Sequence, residues 1–425
     1  SALVLLGVLL TPVLIELIAP GFEGAKRAAT IRLVRIFFPG AGLLVLSAWC
    51  LGILNSHGRF FLSYAAPVIW NLAIIAALVG FGGRFEDYRL AEIAAWGSVV
   101  GSLLQFAIQV PAVLRLRGAG RPALRLAPPV RAMLVNFWPV FVGRGVVQIS
   151  AYVDTLIASL LPTGAVAGVA YAQVLYTLPV SLFGMSVSAA ALPAMASATG
   201  DETARAAELR GRLLAGLRQI AFFVVPSAVV FLVLGDVVTA ALYQTGEFTR
   251  AMALYVWAIL AGSAVGLVPA TLGRLYASTF YALHDTRTPL RYALIRVGLS
   301  LLLGYLFAVT LPPLLGLERR WGAAGLALAS GLAAWLEYAL LRHRLGGRIG
   351  ATSIPLAFLA KVWGAAGLGA GAAWLLRPLV AVQHPVIGAI FLLGTFGLVY
   401  LGATTASGLT EARRVTGRLW PRHRR

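Results

Sequence analysis

Long apolar runs recur from end to end of the chain, and they constrain its fold more than any other feature. Two examples are LLVLSAWCLGILN, which begins at position 43, and SLLLGYLFAVTLPPLLG, which begins at position 300. Runs of about 20 residues that are apolar on all sides match the length of a membrane-spanning helix. Strands of a membrane barrel are only about 10 residues long and alternate apolar with polar residues. The mean hydropathy is +0.86, so the sequence predicts an all-α polytopic membrane protein.

Apolar windows of about 20 residues predict about twelve membrane spans. Their approximate limits are 2–19, 34–54, 62–82, 90–114, 133–161, 166–195, 214–236, 251–282, 289–312, 322–343, 353–377 and 384–406. The fifth, sixth and eighth are long enough to tilt or to extend beyond the bilayer. Arginines are concentrated in alternate loops and in the tail after the last span. Because cytoplasmic loops carry an excess of Lys and Arg, this alternation predicts a cytoplasmic C-terminus.

The formal net charge of +20 would suggest nucleic-acid binding in a soluble protein. In a membrane protein the orientation rule accounts for these cations better, so no nucleic-acid partner is predicted. The acidic residues form no paired-carboxylate motif, the five His residues lack ligand spacing, and Cys50 is the single cysteine. P-loop and GxSxG motifs are also absent from the sequence. The residues therefore argue against an enzyme and predict neither a metal site nor a bound cofactor.

Two connections rich in Arg and Gly are candidate boundaries between bundles. The loop at 115–131 is the longest, and a second connection at 342–353 separates a terminal pair of helices. Prolines lie inside or near many spans. Each one alone is tolerated in a membrane helix, and together they fit helices that bend around a cavity.

Charged residues inside the spans are the candidates for function, because a charge in the bilayer costs a few kcal/mol. Arg144 and Asp154 lie on one predicted helix, and Arg274 and Arg296 lie in the eighth and ninth spans. Each of them could snorkel to the interface or form one buried ion pair. Several arginines with few acids instead favour a cavity that receives an anion, because a guanidinium forms bidentate hydrogen bonds to phosphate and stays charged.

Several motifs follow one another in a specific order. The stretch RIFFPGAGLLVLSAWCLGILNSHGRF at 35–60 continues as FLSYAAPVIWN at 61–71. The other motifs are APGF at 19–22, QISAYVDTLIASLLPTG at 148–164, YAQVLYTLPVSLFGMSVSAAALP at 171–193, YQTGEFT at 243–249 and FYALHDTRTP at 280–289. In these motifs and their spacing, nearly the whole chain resembles the MurJ (MviN) lipid II flippase family of the MOP transporter superfamily.

The resemblance implies a MOP-type bundle of two lobes around a cationic cavity, with an extra C-terminal helix pair that forms a lipid groove. It also implies that the chain corresponds to the family from the third helix onward and lacks the first two helices. The implied domains are the remaining four helices of the N-terminal lobe, the six-helix C-terminal lobe, the terminal helix pair and a basic cytoplasmic tail. Their respective limits are 1–115, 132–345, 352–408 and 409–425.

The function implied by the resemblance is alternating-access translocation of lipid II across the bacterial inner membrane. Lipid II is the undecaprenyl-pyrophosphate-linked peptidoglycan precursor, and Na⁺, H⁺ or the membrane potential would supply the energy. One alternative is another MOP-type exporter of polysaccharide-linked lipids or drugs, against which the GILN–RF–AP block and the terminal pair argue. The other is a non-transporting scaffold or degenerate paralogue that recruits cell-wall synthesis or division proteins. Val174 and Leu283 favour this second alternative, because relatives often carry Arg at the first position and some carry it at the second.

The resemblance also implies roles for individual residues in substrate binding. Arg274 matches a basic residue that faces the cavity, and Arg144 is a second candidate in the same lobe. Asn55 and Arg59 are interpreted mainly as packing and anchoring residues near the inner gate. Arg35 is interpreted as a cation at the edge of the cavity, near the start of its helix.

An ion-coupling site is the last expectation from the resemblance. Asp154 matches an Asp that some relatives use for sodium coupling, and their further polar ligands correspond here to Ser300 and Gly304. Arg296 lies one helical turn from Ser300, on the same face. These positions predict that Arg296 pairs with Asp154 and replaces a sodium ion.

Overall fold

The structure is a computed structural model that describes residues 2–85, 87–116, 152–196, 202–380 and 384–419. Within these ranges the secondary structure is helical and contains no strand, so the predicted all-α fold class is confirmed. The chain divides into two compact units, Ser1–Ile149 and Ser150–Arg425. The finer domain limits stay predictions.

The described part of the first unit consists of four helices. They are α1 (Ala2–Ile18), α2 (Gly24–Ser56), α3 (Phe60–Phe81) and α4 (Asp87–Leu116). Helix α4 packs against both α2 and α3, and α1 packs against α2. Small residues allow the close approach: a Cβ added to Gly101 on α4 would lie 2.7 Å from the Trp70 carbonyl oxygen on α3.

Helix α2 is longer than the sequence predicts. The predicted span is 34–54, whereas the helix runs from Gly24 to Ser56 with Pro39 inside it. Arg35 therefore lies well inside the helix rather than at its start. A membrane helix can continue through a proline because neighbouring groups satisfy the freed carbonyl.

The second unit is built around α14, which packs against α10, α11 and α12. Residues 152–159 are helical and are labelled α5. The other helices are α6 (Ala165–Pro179), α7 (Ser186–Ala196), α8 (Glu202–Val233), α9 (Gly235–Tyr243), α10 (Arg250–Ala264), α11 (Leu267–Ala282), α12 (Arg287–Tyr305), α13 (Leu311–Leu314), α14 (Gly322–Ile349), α15 (Leu356–Val380), α16 (Pro385–Ala406) and α17 (Thr410–Leu419). Two π-helical turns, Val180–Met185 and Leu306–Thr310, continue α6 into α7 and α12 into α13.

The terminal helices α15 and α16 pack together, and they contact α8 and α9 of the same unit. Arg377 on α15 forms an ion pair with Asp236 on α9. The Tyr400 hydroxyl on α16 donates a hydrogen bond to the Phe222 carbonyl on α8. Polar side chains thus fasten both terminal helices to the second unit.

By length and hydropathy, nine helices within the described ranges can cross a membrane. Helices α10 and α11 together form a further span, which is bent by 43° at a short break. The predicted eighth span at 251–282 is therefore a bent pair rather than one long helix. Helix α1 is a shorter apolar helix, and most of the predicted fifth span lies outside the described residues. The chain is a multi-pass membrane protein.

The bend between α10 and α11 packs against α14 through two glycines. A Cβ added to Gly266 would come within 2.4 Å of the Gly331 Cα, and one added to Gly331 would come within 2.8 Å of the Gly266 nitrogen. Two main chains can approach this closely only where both residues lack a side chain. The glycine pair therefore holds the bend of the eighth span against α14.

We expect Gly331→Ala to lower the thermal unfolding midpoint of the purified chain, because overpacking costs about 1–3 kcal/mol. Gly298→Ala on α12 is the matched control, since no atom of a neighbouring helix lies within 4 Å of a Cβ added there. Thermal unfolding in detergent should show the loss only for Gly331→Ala. Equal midpoints for the two variants would contradict the close packing.

Candidate functional site

Polar side chains pair across the interface between α12 and α14. The Arg296 guanidinium forms an ion pair with Glu337 at 3.2 Å, and the Ser300 and Ser330 hydroxyls are hydrogen-bonded at 2.9 Å. Arg296 and Ser300 are one turn apart on α12, while Ser330 and Glu337 are two turns apart on α14. The two polar pairs therefore form successive cross-links between two helices that run in opposite directions.

Asp154 on α5 joins these cross-links. Its Oδ1 accepts a hydrogen bond from the Ser330 hydroxyl at 3.1 Å. Because the single Ser330 proton is used in this bond, Ser300 is the donor in the bond between the two serines. One helical turn further along α12, a Cβ added to Gly304 would lie 2.9 Å from Leu326 and 3.1 Å from Ile157. Helices α5, α12 and α14 therefore meet at this point.

The predicted ion pair of Arg296 with Asp154 is not formed. Within the described ranges, Arg296 pairs with Glu337, and Asp154 is bonded to Ser330. The guanidinium still attracts the Asp154 carboxylate electrostatically. The physical reason is that Glu337 lies opposite Arg296 on the antiparallel neighbour and extends across the helix interface. Gly304, the other predicted coupling position, has a packing role.

Arg274 on α11 and Tyr176 on α6 complete this polar cluster. Tyr176 lies within electrostatic range of Arg274, Arg296 and Asp154, so the groups belong to one region of the second unit. Arg274 is exposed, and no carboxylate of the described residues forms an ion pair with it. Since Glu337 engages Arg296, Arg274 is the guanidinium of the cluster that remains open to an external anion.

The charges of the polar cluster balance. Asp154 and Glu337 supply two carboxylates, and Arg274 and Arg296 supply two guanidiniums. An anionic headgroup is therefore attracted more strongly once one carboxylate has been neutralised. One carboxylate and two serine hydroxyls supply fewer oxygens than the six or more that Ca²⁺ and Mg²⁺ take in typical sites. The described residues also contain no group of three or more His, Cys, Asp or Glu side chains that could hold a metal.

The three candidates of the first unit do not form one site. The Arg35 Nε donates a hydrogen bond to the Val8 carbonyl on α1 at 3.3 Å. Asn55 lies about 30 Å further along α2, and Arg59 lies in the turn before α3. The Asn55 Oδ1 is buried without a hydrogen-bond partner among the described residues. Arg144, the remaining candidate, lies outside the described residues.

Sequence reasoning missed two members of the polar cluster, Tyr176 and Ser330, and did not connect Glu337 to it. A usable signal was present, because Ser330 and Glu337 recur at a seven-residue spacing on an apolar helix. A buried polar group in the first unit was also missed. In it, Ser47 on α2 donates to the Gln109 Oε1 at 2.8 Å and accepts from the Gln105 Nε2 at 2.9 Å, which links α2 to α4.

The loop between α11 and α12 is held by Asp285. Its carboxylate accepts hydrogen bonds from the Thr288 N–H at 3.0 Å, the Thr288 hydroxyl at 2.7 Å and the Arg287 N–H at 3.1 Å. It also forms an ion pair with Arg348 near the end of α14, at 2.7 Å. These interactions, with the Thr288 bonds as the largest cause, lower the pKa of Asp285 to about 2. Asp285 therefore ties the start of α12, which carries Arg296, to the end of α14.

We expect Asp285→Asn to lower the unfolding midpoint at neutral pH. A depressed carboxyl pKa stabilises the folded state above the unfolded value, and this stabilisation is lost as the pH falls through the folded value. The difference in unfolding midpoint between the parent chain and Asp285→Asn should therefore shrink as the pH falls from about 4 to about 2. Glu247→Gln, which changes an exposed carboxylate, is the control and should show little effect. A difference that stayed constant down to pH 2 would contradict the assignment.

Comparison with known proteins places these features in a family. A family model described as lipid II flippase MurJ matches residues 1–395. A probable lipid II flippase MurJ of Rhizobium meliloti is 33% identical over 337 residues, which cover 77% of this chain and 59% of the relative. The lipid II flippase MurJ of Burkholderia cenocepacia is 31% identical over 324 residues, which cover 75% of this chain and 60% of the relative. The chain thus spans about three fifths of the length of these relatives.

Solved structures share the fold. A lipid II flippase MurJ in an inward closed conformation matches with a TM-score of 0.77 and 22% identity, covering 95% of this chain and 80% of that one. An inward-facing multidrug resistance MATE family transporter of the MOP superfamily matches with a TM-score of 0.65 and 18% identity, covering 82% and 78%. At these identities the two likenesses establish the shared fold alone, which is the predicted MOP-type bundle.

Proposed function

Because the chain belongs to the MurJ lipid II flippase family, we propose that the protein is a flippase for lipid-linked peptidoglycan precursor. The proposed cargo is undecaprenyl-pyrophosphate-linked lipid II, carried across the bacterial inner membrane. The movement requires no covalent chemistry. In alternating access the substrate site opens first to one side of the membrane and then to the other.

The exposure of the Arg274 guanidinium is the observation in this structure that supports the proposal. This guanidinium lies within a polar cluster of otherwise apolar helices, and its charge is not taken up by a carboxylate of the described residues. A guanidinium forms bidentate hydrogen bonds to phosphate oxygens and keeps its charge at a site of low dielectric constant. We assign Arg274 to the pyrophosphate of the substrate and leave Arg144 as a second candidate contact. Arg35, Arg59 and Asn55 are assigned to packing and anchoring of α2.

Charge balance in the polar cluster suggests how transport is coupled to energy. The cluster is formally neutral, so a proton on Asp154 would leave a net positive charge that favours an anionic headgroup. We propose that Asp154 is the coupling residue, with the Ser330 and Ser300 hydroxyls orienting it. Sodium coupling is the alternative, and a requirement for Na⁺ in place of a pH gradient would support it.

Orientation follows from the distribution of arginines. Arg342, Arg344 and Arg348 are close to the end of α14, and further arginines follow α16. The excess of cations predicts that these ends and the C-terminus face the cytoplasm. A cysteine-accessibility scan of a Cys50→Ala background, with single cysteines at 344 and 319, tests this assignment. Labelling of position 319 from outside intact cells and of position 344 only after lysis would support it.

Complementation tests the proposed function. The complete gene should restore growth to a bacterium depleted of its own lipid II flippase. Failure despite normal membrane levels would favour the non-transporting scaffold, to which Val174 and Leu283 point. Export of a drug or polysaccharide-linked lipid without rescue would favour another MOP-type exporter, whose fold the chain shares.

A further inference from the structure

A cavity of about 770 Å³ lies beside the C-terminal half of α14. One wall is a helical stripe that includes Trp335, Tyr338 and Arg342, and the other is the connection to α15 at 351–353. Residues 335, 338 and 342 recur at helical spacing and share one face of α14. Ser330 and Glu337 lie on a different face of the same helix. The cavity is therefore separate from the polar cluster and belongs wholly to the second unit.

The lining of this cavity is cationic. It contains Arg342, His343 and Arg344 and no Asp or Glu. Both arginines are exposed, and neither forms an ion pair within the described part of the chain. Arg348, by contrast, is engaged by Asp285. Cations near a helix C-terminus also offset the helix dipole, but that role does not explain why they surround a cavity.

Thr352 provides an independent sign of a ligand. It lines the cavity and is 3% exposed, and its hydroxyl oxygen is buried without a hydrogen-bond partner. Leaving a buried hydroxyl without a partner costs about 1–3 kcal/mol. The Thr352 carbonyl accepts a hydrogen bond from the Tyr276 hydroxyl at 2.7 Å, which holds the residue in place. A ligand with an acceptor oxygen would satisfy the Thr352 hydroxyl.

Aromatic rings in contact with one another line one side of the cavity. The rings of Tyr276 and Tyr338 are 5.6 Å apart, and those of Trp335 and Tyr338 are 5.9 Å apart. The Trp335 Nε1 donates to the Val265 carbonyl at 2.9 Å, and the indole remains 42% exposed. Trp335 lies near the middle of α14 (Gly322–Ile349), so its exposed ring offers apolar surface at the depth of the acyl chains.

We propose that this cavity binds the phosphate group of an anionic phospholipid from the cytoplasmic leaflet. Arg342 and Arg344 would neutralise the phosphate, and the Thr352 hydroxyl would donate to one of its oxygens. The acyl chains would lie along the exposed apolar surface beside Trp335. Basic pockets between membrane helices on the cytoplasmic side suit such headgroups. The site lies outside the proposed transport site, and its occupancy does not depend on transport.

Native mass spectrometry of the purified full chain tests the site with phosphatidylglycerol as the probe and phosphatidylcholine as the comparison lipid. Arg342→Gln with Arg344→Gln should weaken phosphatidylglycerol binding by roughly 25-fold, since one interfacial arginine contributes about fivefold. Thr352→Val keeps the shape of the side chain and removes its hydroxyl, so it should weaken phosphatidylglycerol binding severalfold.

Arg287→Gln with Arg291→Gln is the matched control, because both arginines are exposed at the same end of the unit and lie outside the cavity lining. Equal losses in the control and cavity variants, or unchanged binding in Thr352→Val, would overturn the proposal in favour of a general surface charge effect. Competition by inorganic phosphate at millimolar concentration would assign the site to a free phosphate. Competition only by phosphatidylglycerol would assign it to the lipid.

Discussion

Arg274→Ala in the complete gene is expected to abolish rescue of a flippase-depleted bacterium while the protein still reaches the membrane. The substitution removes the one guanidinium of the polar cluster that has no carboxylate partner among the described residues. A hydrogen bond to a charged group contributes about 1.5–3 kcal/mol. Affinity for the precursor should therefore fall roughly 10- to 100-fold. Growth after depletion and membrane levels by immunoblot are the measurements.

Two variants make this result specific. Arg274→Lys keeps the charge but loses the planar fork, so partial rescue is expected. Arg250→Ala changes an exposed arginine at the start of α10 and should rescue as well as the parent gene. Full rescue by Arg274→Ala would remove this residue from the substrate site.

Charge reversal across α12 and α14 is expected to have the second largest effect. Arg296→Glu places two carboxylates opposite each other, and Glu337→Arg places two guanidiniums opposite each other, so either change should lower membrane levels and activity. The double variant Arg296→Glu with Glu337→Arg restores opposite charges at the 3.2 Å pair. It should recover much of the loss, as a coupled pair does in a double-mutant cycle.

The control for this experiment uses the partner that the sequence predicts. Arg296→Glu with Asp154→Arg should show no comparable recovery, because Asp154 is bonded to Ser330 rather than to Arg296. The single variant Asp154→Arg completes the second cycle, and unfolding midpoints of the five variants measure the coupling in each pair. The observed pairing would be contradicted if Asp154→Arg restored the stability of Arg296→Glu more than Glu337→Arg does.

Much of the fold is predictable from the sequence because the bilayer allows so few alternatives. Apolar length alone predicts the positions of α3, α4, α12 and the terminal helices closely. The bend between α10 and α11 was not predictable in this way. It depends on the approach of Gly266 to Gly331, about 65 residues apart in sequence, which hydropathy does not record.

The candidate site was predictable in its residue types and less so in its contacts. Asp154, Arg296 and Ser300 stand out as polar groups in apolar helices, and Ser330 and Glu337 link the helices that carry them. Which acid pairs with Arg296 depends on how α12 and α14 face each other. Helical spacing predicts which residues share one face of a helix. It does not predict which of two acids on neighbouring helices pairs with Arg296, so Glu337 was overlooked.

Translocation of lipid II in proteoliposomes measures the proposed activity itself. The complete protein is reconstituted with fluorescent lipid II, and a membrane-impermeant reagent that destroys the exposed fluorophore is added outside. With the parent protein, nearly all fluorescence should be lost over time, because inner-leaflet lipid II moves outward. With Arg274→Ala, the loss should stop at the outer-leaflet share. Equal loss with the parent protein and Arg274→Ala, or no translocation by folded parent protein, would contradict the proposed arginine-dependent flippase.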